Sequence, residues 1–310
     1  MKIIPHSFNP SSDSGPNSFT SGLFDILKKK YNCEIVNNYS NADIEFCLIQ
    51  EQCKKQKPRI TRLDGIYFNT LQDYKLLNDP ILRTYKDSDA VVFQSDFNRR
   101  LIEKWFGEHK FGRVIRNGAN IDKISKIEKA NLTDQFGNRD IWICASSWRP
   151  HKRLKENIKY FLNFADSESI LIIAGSGITK EDFFGYEKYI NNRIFYVGHL
   201  KWESLISVYK AASTFVHLAY LDHCPNVVVD AKASGCNIVC SSSGGTMEIA
   251  GNSSIVIQED EWDLSPIQLY NPPELNFDNI SGNTYKKCVN IETSIVSSAK
   301  RYYKIMEKIK

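Results

Sequence analysis

At 310 residues, with 42% apolar and 25% charged, the chain has the profile of a soluble globular protein long enough for two domains. A net charge of +4 and aromatics spread along the chain, with no basic stripe among them, exclude nucleic acid as an expected partner. The opening MKIIPHSFNP lacks the apolar core of a signal peptide, and no run approaches the ~18 apolar residues of a membrane span.

In chain order, Met1–His6 is a candidate strand, Ser11–Ser18 (SSDSGPNS) a loop, and Phe19–Lys30 an amphipathic helix. Short strands are expected at Cys33–Asn37, Ile44–Gln50 and Ile60–Leu63, the last ending at Asp64-Gly65. Pro80–Lys86 reads as a helix and Ala90–Gln94 as a buried strand. Ser95 caps a helix through Phe106, and a strand at Arg113–Ile115 precedes the turn Asn117-Gly118. Asp122–Asp140 is polar with little apolar period and reads as a linker.

The pattern then restarts. Strands are expected at Ile141–Ser146, Ser169–Gly175, Arg193–Leu200, Thr214–Ala219, Asn237–Ser242 and Ser254–Ile257. Helices fall at Lys155–Phe164, after Leu200 to Ala212, and at Asn226–Ser234. Asn271–Asn283 is a Pro- and Asn-rich loop, and Glu292–Lys310 a basic amphipathic helix. Strands separated by helices throughout imply parallel sheets in two α/β domains, with ligands at the carboxyl ends of the strands.

Several loops that follow strands carry chemistry. Asp222 and Asp230 flank the start of the helix at Asn226, where Pro225 suits the first turn and free amides form an anion site. This suits a charged ligand with hydroxyls to be read, such as a nucleotide sugar. The small-residue loop at Ser11–Ser18 lets backbone approach a phosphate or sugar, or is an ordinary turn capped by Ser18. Arg62 and Asp64 are either a surface ion pair or a pair at the cleft, with Asp64 placed to bind or deprotonate an acceptor hydroxyl. Arg149 and Lys152 beside a helix start form a candidate diphosphate clamp. His199 and His217 read as hydrogen-bonded structural residues, and His223 is the better functional candidate. No set of His, Cys and carboxylates has metal spacing, so no metal and no cofactor is expected. The eight cysteines form no C-x-x-C pair, which implies reduced core thiols and a cytoplasmic protein. The basic clusters Lys28–Lys30, Lys54–Arg59 and Lys300-Arg301 read first as solvated faces, with peripheral contact to an anionic membrane as the other reading.

Asp222–Ile249 (DHCPNVVVDAKASGCNIVCSSSGGTMEI) resembles the E-G-F-P-N-V-hh-E-A-h-A-x-G…GG-x-x-E-h signature of the retaining glycosyltransferases of family 4. SSWRPHKRL is similar to that family's diphosphate-binding segment, FYVGHL to its base-side loop and VIRNGANI to the segment closing its first domain. SDAVVFQSDFNRRLIEKWFG is similar to its A-D-h-h-h-x-S-x-h. Both family glutamates are aspartates here, and His223-Cys224 replace a small and aromatic pair. The resemblance implies the GT-B fold: a Rossmann-like acceptor-side domain at 1–122, a nucleotide-sugar-binding domain at 123–285, and a crossover helix at 286–310. It implies transfer of a sugar from a nucleotide diphosphate to a glycan, lipid-linked or protein acceptor, with configuration retained. Asp222 would meet the transferred sugar, Asp230 the ribose, and Arg149 and Lys152 the diphosphate. His223, Cys224, Pro225, Asn226 and Val227 mark the sugar and phosphate region, all but Pro225 offering an amide N–H, Gly198 and His199 the base, and Gly15 and Pro16 the donor from the other side. Asn17, Arg62 and Asp64 would line the acceptor side. A non-catalytic sugar-binding relative is the alternative, and an epimerase or phosphorylase a third reading.

Overall fold

The computed structural model describes residues 1–12, 14–51, 53–281 and 294–310. The first half runs β1 (Lys2–His6), α1 (Gly15–Tyr31), β2 (Glu34–Ile35), β3 (Ile44–Leu48), β4 (Arg59–Leu63), α2 (Tyr74–Asp87), β5 (Ala90–Phe93), α3 (Asp96–Phe106) and β6 (Gly112–Val114). Its strands form a parallel sheet in the order β2-β1-β3-β4-β5-β6. Two short helices, α4 (Ile121–Ser125) and α5 (Thr133–Phe136), lead into the second half. There β7 (Ile141–Ser147), α6 (Leu154–Phe164), β8 (Ile170–Ser176), β9 (Ile194–Gly198), α7 (Trp202–Ala211) and β10 (Thr214–His217) come first. Then follow α8 (Asn226–Ala233), β11 (Asn237–Ser241), α9 (Thr246–Ala250), β12 (Ile255–Ile257) and β13 (Ile280–Ser281). The second sheet has the order β13-β12-β11-β10-β7-β8-β9 and is parallel except for the β12–β13 edge.

Ile141–Ala145 and Ile170–Ala174 are buried at every position, as a strand covered on both faces by helices requires. The last helix, α10 (Ile295–Ile309), spaces Ile295, Ala299, Tyr302, Ile305 and Met306 along one stripe. That stripe packs on α1 and completes the core of the first domain, so the chain ends where it began. An earlier return also occurs, because Trp262, Leu264, Ile267 and Leu269 pack against the first domain's other face. Trp105 Nε1 donates to the Leu264 carbonyl at 2.9 Å to fix that contact. Two α/β domains with parallel sheets and a crossing C-terminal helix agree with the fold expected from the sequence.

Several boundaries differ from the expected ones. Helix α1 starts at Gly15, so Gly15–Ser18 are helical and Ser18 is not the cap. Helix α2 begins six residues before Pro80, where the Asp73 carboxylate accepts from Leu76 N–H at 3.1 Å. The polar 122–140 stretch contains α4 and α5, anchored by buried Ile124 and Phe136. Strand β10 stops at His217, leaving 218–225 as the connection that carries the site. Pro225 stands at the cap position of α8, one place before the first turn. Arg59, read first from sequence as part of a solvated face, is buried and pairs with Glu45 at 2.6 Å, and of the two readings of Arg62 the surface one fails, because it is buried against Asp64. Cys33, Cys47, Cys144, Cys224, Cys236 and Cys240 are buried thiols and Cys53 is exposed, while Cys288 and the expected helix start at Glu292 lie outside the described residues. Among the described residues no helix is long and apolar enough to cross a membrane.

Candidate active site

Asp222 lies in the connection after β10, and its backbone is held by the glycine pair before α9. Gly245 N–H donates to the Asp222 carbonyl at 2.7 Å. Gly244 has φ +79°, and a Cβ there would stand 2.5 Å from the same oxygen, so only glycine permits the approach. The Asp222 carboxylate is mostly buried, with its Oδ2 paired to Lys152 Nζ and accepting from His217 Nε2 at 3.1 Å. Burial opposes its charge, but Lys152 and His217 outweigh that and hold the carboxyl well below the usual range. Burial likewise lowers His217, which therefore donates from Nε2 as a neutral ring.

Lys152 ends a tight turn at Pro150–Lys152 that follows β7. The next residue, Arg153, anchors this turn. It is buried, makes two hydrogen bonds to Glu259 at 2.9 and 2.7 Å, and covers the Tyr220 ring at 4.9 Å. Arg149 is exposed at the turn's start and makes no ion pair among the described residues.

A cavity of about 510 Å³ opens between α1 and the α7–α8 pair, with Gly15 and Phe19 on one side and Trp202, Val227 and Asp230 on the other. Asp230 sits one turn into α8, where Oδ2 accepts from Trp202 Nε1 at 3.0 Å. Burial pushes this carboxyl up to about 6, and the indole N–H offsets only part of that rise.

A chain of amides joins the two walls. Asn226, the first residue of α8, donates to the Gly15 carbonyl at 3.0 Å and accepts from Asn117 Nδ2 at 2.8 Å. Asn117 accepts in turn from Arg62 Nη2 at 3.1 Å. Arg62 pairs with Asp64 and lies over the Phe19 ring at 4.7 Å; burial opposes its charge, and Asp64 reverses that and raises it. On the opposite side of the interface, Glu248 of α9 caps α3 of the first domain. Its carboxylate accepts from Asp96 and Phe97 N–H, both at 2.8 Å, and pairs with Arg116 at 3.0 Å.

Residues 125–264, which carry Lys152, Asp222 and Asp230, match the family described as glycosyl transferases group 1. This match places the second domain among the group 1 glycosyltransferases. It is 26% identical over 294 residues to the uncharacterized glycosyltransferase MJ1069 of Methanocaldococcus jannaschii, covering 87% of this chain and 73% of that one. Among solved structures it is similar to sucrose-phosphate synthase of Thermosynechococcus elongatus, with TM-score 0.64 and 13% identity over 99% of this chain and 96% of the other. It is also similar to HepE of Anabaena solved in complex with UDP, with TM-score 0.62 and 15% identity over 100% and 97% of the two chains.

In this glycosyltransferase the structure gathers some expected site residues and scatters others. Gly15, Asn226, Val227 and Asp230 line the cavity, and Lys152 and Asp222 meet in the adjoining cluster. Pro16 occupies the first turn of α1. Asn17 turns away to hold its own loop, accepting from Asn9 N–H at 2.7 Å and donating to Ser14 at 2.8 Å. Gly198 and the exposed His199 end β9, and only the helix beyond them, from Trp202, reaches the cavity. His223 points into the first domain, where Asn98 Nδ2 donates to its Nδ1 at 3.1 Å and the Phe68 and Phe97 rings flank it. Burial lowers it to about 4, so it is a neutral packing residue between the domains. Burial pushes the Cys224 thiol up to about 12. Sequence reading passed over Asn117, Trp202 and Glu248 and took His217 for structural. His217 had one usable signal: a polar ring ending an otherwise apolar strand, five residues before Asp222.

Proposed function

We propose that this chain moves a sugar from a nucleotide diphosphate donor to an acceptor hydroxyl with retention of configuration. The observation that carries the reading is the Lys152–Asp222–His217 cluster standing beside the Asp230 cavity, at the carboxyl ends of strands in the matched domain. Diphosphate would bind to Lys152 and Arg149, ribose to Asp230, and the base near Gly198 and His199. Asp222 and the amides from His223 to Val227 would orient the transferred sugar. Positive charge from Lys152 and Arg149 beside the departing diphosphate would supply most of the rate, because it acts where negative charge grows. The acceptor hydroxyl attacks the face that the phosphate leaves and passes its proton to a phosphate oxygen, so no protein nucleophile and no metal is needed. Arg62 and Asp64 would sit on the acceptor side, where burial raises the Asp64 carboxyl and Arg62 offsets part of that rise.

The UDP bound by HepE makes a uridine donor the first to try, and the acceptor would be a glycan, lipid-linked or protein hydroxyl. Lys28, Lys29 and Lys30 end α1 beside exposed Lys300 and Arg301 of α10, a basic surface suited to peripheral contact with an anionic membrane in the cytoplasm. The test is a thermal-shift screen with UDP-, GDP- and ADP-sugars, with and without EDTA. One nucleotide is expected to stabilise by ~2.7 kcal/mol at a hundredfold excess over Kd, unchanged by EDTA. Silence across the panel sinks the donor assignment.

A further inference from the structure

Lys152 has two tasks that conflict: it neutralises Asp222 in the free protein, and on the reading above it must also bind diphosphate. The geometry provides a substitute. His217, itself buried, has its Nε2 3.1 Å from the same Oδ2 that Lys152 occupies. We propose that His217 is a positioning residue that takes over Asp222 when the donor draws Lys152 away, and that donor binding therefore takes up a proton. Lys152 keeps its proton and exchanges a carboxylate oxygen for a phosphate oxygen. His217 keeps Nε2–H on Asp222 and gains a solvent proton at Nδ1, so the carboxylate again faces a full positive charge. The inference rests on the proposed diphosphate role of Lys152.

The surroundings of the ring set the direction. Asp222 faces it from the connection after β10, and Lys152 and His151 face it from the turn after β7. Cys240 is its register neighbour on β11, with burial holding that thiol up at about 12, and Phe215 of its own strand stacks beside it. His151 is kept neutral by burial and by Lys152, its pKa lowered to about 3. Lys152 is thus the one facing cation that opposes a charge on His217, and its departure removes that opposition while Asp222 stays.

Calorimetry of UDP-glucose, GDP-mannose and ADP-glucose binding, run near pH 7 in phosphate and in Tris, reads the proton directly. These diphosphodiesters lack the phosphomonoester group that titrates near pH 6. The donor that binds should take up between about half and one proton, and its Kd should tighten up to about tenfold per unit as pH falls from 8 to 7, above the range in which Asp230 titrates. His217→Gln, whose amide can still donate to Asp222, should bind with no uptake and a flat profile between pH 8 and 7. Binding by the wild type without uptake, or an unchanged slope in His217→Gln, overturns the inference and leaves the donor site standing. No binding by any of the three overturns both. A donor-free arm is independent of the panel: in Lys152→Gln the His217 ring resonances should titrate about one unit or more higher than in the wild type. An unchanged midpoint there overturns the inference as well.

Discussion

Asp222 and Asp230 belong to one motif and one residue type, yet the fold treats their charges in opposite ways. Asp222 has an ammonium and an imidazole N–H on a single oxygen and stays ionised far below neutral pH. Asp230 has one indole N–H and no cation, and burial raises it to about 6. The partners, rather than the acids, set the chemistry: one carboxylate is fixed in charge and the other is poised to titrate, and on the proposed reading the first would face the transferred sugar and the second the ribose.

The comparison breaks most visibly at Lys152. On the proposed reading Lys152→Ala removes the cation from Asp222 and from the diphosphate together, and should lower kcat about 10²–10³-fold, or ~3–4 kcal/mol. Steady-state turnover on the identified donor checks this, and near-normal kcat refutes the assignment. Asp230→Asn should act differently, weakening donor affinity about tenfold through one lost charge-assisted hydrogen bond while kcat stays within a few-fold. A change in kcat larger than the change in KM would show that Asp230 acts on the reacting centre.

The same residue gives two pH effects of opposite sign. Its folded pKa, about 6, lies above the ordinary carboxyl value of 3.8, so its contribution to stability is complete below pH ~4 and is lost as pH rises through ~6. Asp230→Asn should therefore gain in Tm over the wild type between pH 4 and 7, with the gap constant above that. Donor affinity should run the other way, because the ionised form accepts from ribose hydroxyls. Melting curves of both proteins across this range would expose a parallel response, which would place the titration elsewhere.

Much of this was legible in the chain. Buried runs at Ile141–Ala145 and Ile170–Ala174, the Ser95 cap and the order of the motifs pointed to the two sheets, and put Lys152 and Asp222 in connections after strands and Asp230 one turn into the following helix. What escaped was pairing across the chain. His223 follows Asp222 directly, yet alternation along the connection turns it into the first domain toward Asn98, while His217, five residues earlier, meets the carboxylate. Glu248 looked like the last letter of a motif, but its role is fixed by the N–H groups of Asp96 and Phe97, some 150 residues away. Trp202 carries no motif at all. Its function comes from α7 lying against α8, a packing fact with no local pattern in sequence.

Trp202 also yields the smallest and sharpest distinction between the two acids. Phenylalanine at this position keeps the ring against the cavity wall but removes the N–H that Asp230 accepts at 3.0 Å. One hydrogen bond to a carboxylate is worth ~1 kcal/mol or somewhat more, so the titration of Asp230 should rise by about one unit from its value near 6. The acid limb of donor affinity then moves toward neutral pH by the same amount. Asp222, held by Lys152 and His217 and sharing no partner with Trp202, should keep its behaviour, so kcat on saturating donor at pH 8 should stay within about twofold. If Trp202→Phe lowers kcat there while leaving the acid limb in place, the indole is packing the site rather than tuning Asp230, and the contrast between the two carboxylates rests on burial alone.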